Sequence, residues 1–119
     1  MKETLIVGLT NEARYVVTKE MSPAHLNRVV LSTPAMIALV EGVCLAAAQE
    51  HLDETETTVG THVCVSHESA VFESEEFIVH CRLESINRRR LNFDIEVDGP
   101  SDIVSRGTHQ RAVIKTQQS

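Results

Sequence analysis

Residues 34–48 decide most of what this chain can fold into. They read PAMIALVEGVCLAAA, the longest apolar run in the sequence, and Glu41 is their one charged residue. Three and four positions from Glu41 stand Ile37, Ala38, Cys44 and Leu45, all apolar or weakly polar. A helix that is apolar all round is normally buried. A carboxylate on such a helix is desolvated, paired or protonated, and each state costs free energy. The run is too short, and too interrupted by charge, to span a bilayer. Ser32-Thr33-Pro34 marks its start, with Thr33 placed to cap free N–H groups and Pro34 suited to the first helical position. The helix is expected to reach about His51, followed by a polar loop over 53–58.

Beyond it the hydrophobic period changes to two. Val59, Thr61, Val63, Val65 and His67 alternate with Gly60, His62, Cys64 and Ser66. The same alternation predicts strands over 77–84, 91–98 and 103–114, with turns at 87–90 and 98–100. Ahead of the helix, Ala13, Tyr15 and Val17 suggest a strand within 8–21, broken by Ser22-Pro23. Residues 24–31 read as a short helical turn or a flap. A single helix buried on all sides needs a sheet curled around it. The expected fold is therefore α+β: an antiparallel five-stranded sheet wrapped around one long central helix, as a hot dog domain is laid out. The length of 119 residues suits a single domain, 1–119.

Composition narrows the partners. Aromatic residues make up only 3% with no Trp, which argues against stacking platforms for single-stranded nucleic acid. A net charge of −6 opposes affinity for nucleic acid and for anionic membranes. Cys44, Cys64 and Cys81 are odd in number and widely spaced, as in a cytoplasmic protein with reduced, buried thiols, and no secretory signal is visible.

Glu41 is the first candidate for chemistry, as a nucleophile or general base. Its bland alternative is a core carboxylate paired with an arginine. His67 closes the strand begun at Val59 and is the usual kind of proton carrier near neutral pH. Arg111, sharing a face of the last strand with His109 and Val113, is either a solvated charge or the partner of a carboxylate or anion. Arg88, Arg89 and Arg90 form a basic cluster, read either as a soluble hairpin tip or as a contact for a phosphate-bearing substrate. His62, Cys64 and His67 do not share one strand face, and no paired metal-ligand motif is present, so neither metal nor cofactor is expected.

Taken together, Thr33-Pro34, then Glu41, then 60–67 (GTHVCVSH), then 107–114 (GTHQRAVI) resemble the fluoroacetyl-CoA thioesterase-like branch of the hot dog superfamily. The likeness covers nearly the whole chain, from Leu5 to Ile114. It implies a catalytic set of Thr33, Glu41 and His67, assisted by Gly60 and Arg111. It also implies a homodimer, or a higher oligomer, that hydrolyses acyl-CoA thioesters to a carboxylic acid and coenzyme A. The fluoroacetate-specific enzyme carries a Phe in the lid ahead of its Thr; here 22–31 (SPAHLNRVVL) has no aromatic residue, which favours a small or short-chain acyl group in general. Two other functions fit the same elements: a non-catalytic acyl-CoA-binding domain, and a hydroxyacyl-thioester dehydratase with His67 as base. Eight residues of helix put Thr33 and Glu41 about 12 Å apart along the axis, so they share no direct hydrogen bond. Substrate lies between them, or the site draws on two subunits.

Overall fold

The computed structural model describes residues 1–116; residues 117–119 of the expected domain lie outside the described residues. Strand β1 (Thr10–Val16) precedes helix α1 (Thr33–Gln49), which is followed by β2 (Glu56–Val65), β3 (Glu76–Asn87), β4 (Arg90–Asp98) and β5 (Ile103–Lys115). The strands form one sheet in the order β1-β3-β4-β5-β2, each neighbouring pair antiparallel. The two strands flanking α1 in sequence are thus the two edges of the sheet. The helix must cross one whole face to join them.

Alternation explains that face. Phe77, Val79, Cys81 and Leu83 of β3 and Leu91, Phe93, Ile95 and Val97 of β4 are all buried. Between them Arg82, Asp94 and Glu96 point to the opposite, exposed side. The helix meets the apolar side with Met36, Val40, Val43, Cys44, Ala47 and Ala48, all buried. Their spacing of four, three, one, three and one residues traces one helical face.

The expectation of a helix buried all round is corrected. Within one chain, Pro34, Ala38, Gly42 and Ala46 form an exposed row along α1. A single layer of sheet covers only one side of a helix, and small residues hold the uncovered side. The cap is corrected too. Ser32, not Thr33, is the N-cap, its hydroxyl accepting from the Ala35 N–H at 3.1 Å. Thr33 is the first helical residue, and its side chain is left for other use.

Further boundaries move. The helix ends at Gln49 rather than His51, and β2 starts at Glu56 inside the expected loop. Glu56 is buried and bonded to the Met1 amino group, to the Asp53 N–H at 3.1 Å and to Arg89 Nη2 at 2.8 Å. The amino group, the backbone donor and the guanidinium together hold its carboxyl down at about 2. β2 ends at Val65, so His67 lies in the following loop and does not close the strand. Cys44 and Cys81 are buried as expected, but Cys64 on edge strand β2 is exposed. Residues 24–31 contain no helix; Val30 instead makes an isolated bridge to Phe72.

The two neighbouring hydroxyls should therefore separate in solution. Ser32→Ala should lower stability to urea by about 1 kcal/mol, as for loss of a capping side chain, whereas Thr33→Ala should change it by less than about 0.5 kcal/mol.

Candidate active site

Register places the first group of residues. Gly60 of β2 lies directly opposite Arg111 of β5, and Val63 lies opposite His109. A bulge between Gly60 and His62 interrupts this pairing. Bulges re-aim strands and occur often beside sites. Arg111 and His109 point under the helix and are 5% and 0% exposed.

Glu41 descends from α1 toward them. Its Oε1 is 3.6 Å from Arg111 Nη1 and 3.8 Å from His109 Nε2. Gly60 makes the room: a Cβ there would overlap Glu41 Oε1 and come within 3.2 Å of His109 Cε1. A side chain at position 60 would oblige the Glu41 carboxylate to leave this placement. Glu41 is not desolvated, since 40% of its side chain is exposed. It is a carboxylate at the margin of a buried cationic floor. At that exposure the ion pair contributes on the order of 1 kcal/mol or less, and its main effect is to orient the carboxylate.

Arg111 is no solvated charge. Its Nε donates to Thr58 Oγ1 at 2.7 Å and its Nη2 to the Thr58 carbonyl at 3.0 Å. Burial pushes its proton affinity down, and Glu41 and Cys44 oppose that. Burial also lowers the His109 pKa, against the His62 carbonyl, which raises it.

Thr33 and His67 make a second group. Thr33 Oγ1 and His67 Nδ1 are 2.7 Å apart and share one hydrogen. They border a shallow cavity of about 330 Å³ with Val30, Leu31 and Glu68. Burial lowers the His67 pKa from 6.5, favouring the neutral ring. Beside them, the flap is tied down by Arg28, whose Cζ sits 3.5 Å over the Phe72 ring. The sequence reading found no aromatic in the flap itself; Phe72 reaches it from the β2–β3 connection.

The five candidates thus fall into two sets: Glu41 with Gly60 and Arg111, and Thr33 with His67. Among the described residues no hydrogen bond or ion pair joins the sets. A larger concavity of about 860 Å³ lies on the outer face of the sheet, between Glu12, His80, Glu96 and Arg106, and contains none of the five. Along its rim His80 lies 3.9 Å from Glu12 and Arg106 lies 4.0 Å from Glu96, both at the edge of ion-pair distance. The arginine cluster is the β3–β4 turn, with Asn87 paired to Arg90 and Arg88 at φ 58°. Arg89 is committed to Glu56 and to the Val113 carbonyl. The sequence reading missed two members of the niche, His109 and Thr58. The parity of β5 put His109 beside Arg111, and that was the available signal.

Comparison with known proteins bears on the fold and the family. The fold is that of the hot dog thioesterases: a hypothetical protein of Thermus thermophilus from the thioesterase superfamily superposes with a TM-score of 0.86 at 20% identity, over 93% of this chain and 85% of that one. The family described as fluoroacetyl-CoA-specific thioesterase matches residues 10–117, and the chain belongs to it. A fluoroacetyl-CoA thioesterase of Streptantibioticus cattleyicolor is 34% identical over 85 residues, 71% of this chain. This chain spans 61% of the length of that relative. A solved structure of the fluoroacetyl-CoA thioesterase FlK has a TM-score of 0.87 at 29% identity, covering 92% of this chain and 88% of that one.

Filling the Gly60 niche is the direct test of its geometry. Gly60→Ala should displace the Glu41 carboxylate, read as a shift of its ¹³C carboxyl resonance, with secondary structure by circular dichroism unchanged.

Proposed function

We propose that the protein hydrolyses small or short-chain acyl-CoA thioesters to a carboxylic acid and coenzyme A. The carrying observation is the Glu41 carboxylate, part-exposed and held over the buried Arg111 in space left by the missing side chain of Gly60. In this reading Glu41 attacks the thioester carbon, or draws a proton from a water that does. The C–S bond breaks; direct attack leaves an anhydride on Glu41, which a water then cleaves to free the acid and the carboxylate. By either route neutral His67 accepts the proton given up by the water and passes it to the thiolate sulfur, with Thr33 holding the ring at Nδ1. One water is consumed for each acid and thiol released. Arg88 and Arg90, which make no ion pair among the described residues, are the proposed contacts for a CoA phosphate.

The active form is a homodimer in this reading. The separation of the two residue sets supports a site made from Glu41 of one subunit and Thr33 with His67 of the other. The uncovered row on α1 and the edge strand β2, with Val59 42% exposed, offer a second copy a surface. The shape agrees: the radius of gyration is 15.3 Å, against about 13.5 Å for a compact domain of this length.

Thiol release from a panel of acyl-CoAs tests the activity. Turnover of acetyl-, propionyl- or fluoroacetyl-CoA is expected; binding without turnover across the panel overturns the reading. Mixing Thr33→Ala with Glu41→Ala protein tests the shared site. With random exchange, half of the dimers are mixed and each has one restored site, so about a quarter of wild-type activity should return. No return after verified exchange removes the shared site.

Acid should silence the enzyme through His67. Because burial lowers the His67 pKa from 6.5, kcat/KM should fall in acid with its midpoint below 6.5. The same shift predicts stability lost as pH falls from 6.5 through the lower folded value, because the unfolded chain binds the proton more readily. A kcat/KM inflection above 6.5 would contradict this assignment.

A further inference from the structure

His109 is fully buried, and the mechanism above gives it no task. Both of its nitrogens are nevertheless occupied. Nδ1 lies 2.8 Å from the His62 carbonyl oxygen, and Nε2 lies 3.0 Å from Arg111 Nη1. A carbonyl only accepts, so Nδ1 carries the hydrogen and donates it. A guanidinium only donates, so Nε2 presents its lone pair. The two partners select one neutral tautomer. A doubly protonated ring would set an N–H against the N–H of Arg111.

The surroundings leave no other arrangement. From α1, Glu41 Oε1 is 3.8 Å from Nε2, beyond hydrogen-bond distance. From β2 comes the His62 carbonyl, beside the bulge that follows Gly60. On the guanidinium, Thr58 occupies Nε and Nη2. His109 takes one Nη1 hydrogen. The second Nη1 hydrogen remains for Glu41, 3.6 Å away.

We propose that His109 is a positioning residue: as a fixed hydrogen-bond acceptor it sets the plane of the Arg111 guanidinium, and through it the placement of the Glu41 carboxylate. Thr58 alone would grip one edge of the guanidinium and leave its Nη1 end free to swing. The His62 contact links this setting to the β2 bulge, so the floor of the niche and its cation are held as one unit. The inference deepens the thioesterase reading and rests on it for its kinetic test only.

Two amides separate the ring nitrogens. His109→Gln places an oxygen near the Nε2 position and keeps an acceptor for Arg111. His109→Asn places an N–H near the Nδ1 position and keeps the donor to His62. Glutamine should retain kcat within about 3-fold, and asparagine should lose about 10- to 100-fold in kcat with KM changed less than about 3-fold. Any order other than glutamine above asparagine overturns the proposal, because a ring that merely bolts the bulge needs the donor. Two readouts do not require turnover. In wild-type protein, ¹⁵N NMR should show His109 protonated at Nδ1 and bare at Nε2; a hydrogen on Nε2 overturns the proposal even if the variants fail to fold. The ¹³C carboxyl resonance of Glu41 should move in His109→Asn, and an unmoved resonance in folded protein likewise overturns it. If the wild type hydrolyses no acyl-CoA, these two spectra still decide the positioning role.

Discussion

Everything at this site depends on a missing side chain. Gly60 faces Arg111 across two strands and leaves space that a single methyl group would close. Into that space come a guanidinium from below and a carboxylate from the helix above. The pair is not a device for stability. Burying Arg111 costs free energy, and three hydrogen bonds to Thr58 and His109 offset that cost. What results is a carboxylate held over a buried guanidinium, with 40% of its side chain still open to an incoming group.

The fold exists, in effect, to bring these pieces together. Because β1 and β2 are opposite edges of the sheet, the helix between them must run across its face. That crossing carries Glu41 over the β5–β2 side and leaves Thr33, at the start of the helix, beside the loop that follows β2. One layer of sheet cannot cover a whole helix, so the row Pro34, Ala38, Gly42 and Ala46 stays open. The two halves of the residue set and the open row point the same way in the proposed dimer: what one chain leaves incomplete, a second chain is placed to supply.

Much of this was legible in the residues. Alternation located the strands because one sheet face is apolar and the other charged, as in the β3 and β4 rows. Glu41 stood out because it interrupts an apolar run. Gly60 and Arg111 came with a motif resemblance, and the register brings the two together as cross-strand partners. Other features were not legible, for physical reasons. Ser32 and Thr33 are both good caps, and only backbone geometry shows which hydroxyl meets the Ala35 N–H. Strand parity put His67 on β2, but the strand stops at Val65 and the loop turns the ring to Thr33. His109 was visible only as a neighbour of Arg111 on one face of β5, because its two partners depend on the bulge and on the reach of a neighbouring arginine. Glu56 lay in an expected loop, and the residues that hold it, Met1 and Arg89, are distant in sequence.

The central claim is that the Glu41 carboxylate acts on the thioester. The most direct test is single-turnover thiol release by Glu41→Gln, which keeps the shape and removes the charge, beside calorimetric binding of free coenzyme A. The account predicts a loss of at least about 1000-fold in the chemical step with coenzyme A affinity within about 3-fold of wild type. Release by Glu41→Gln at a rate near that of the wild type would contradict it.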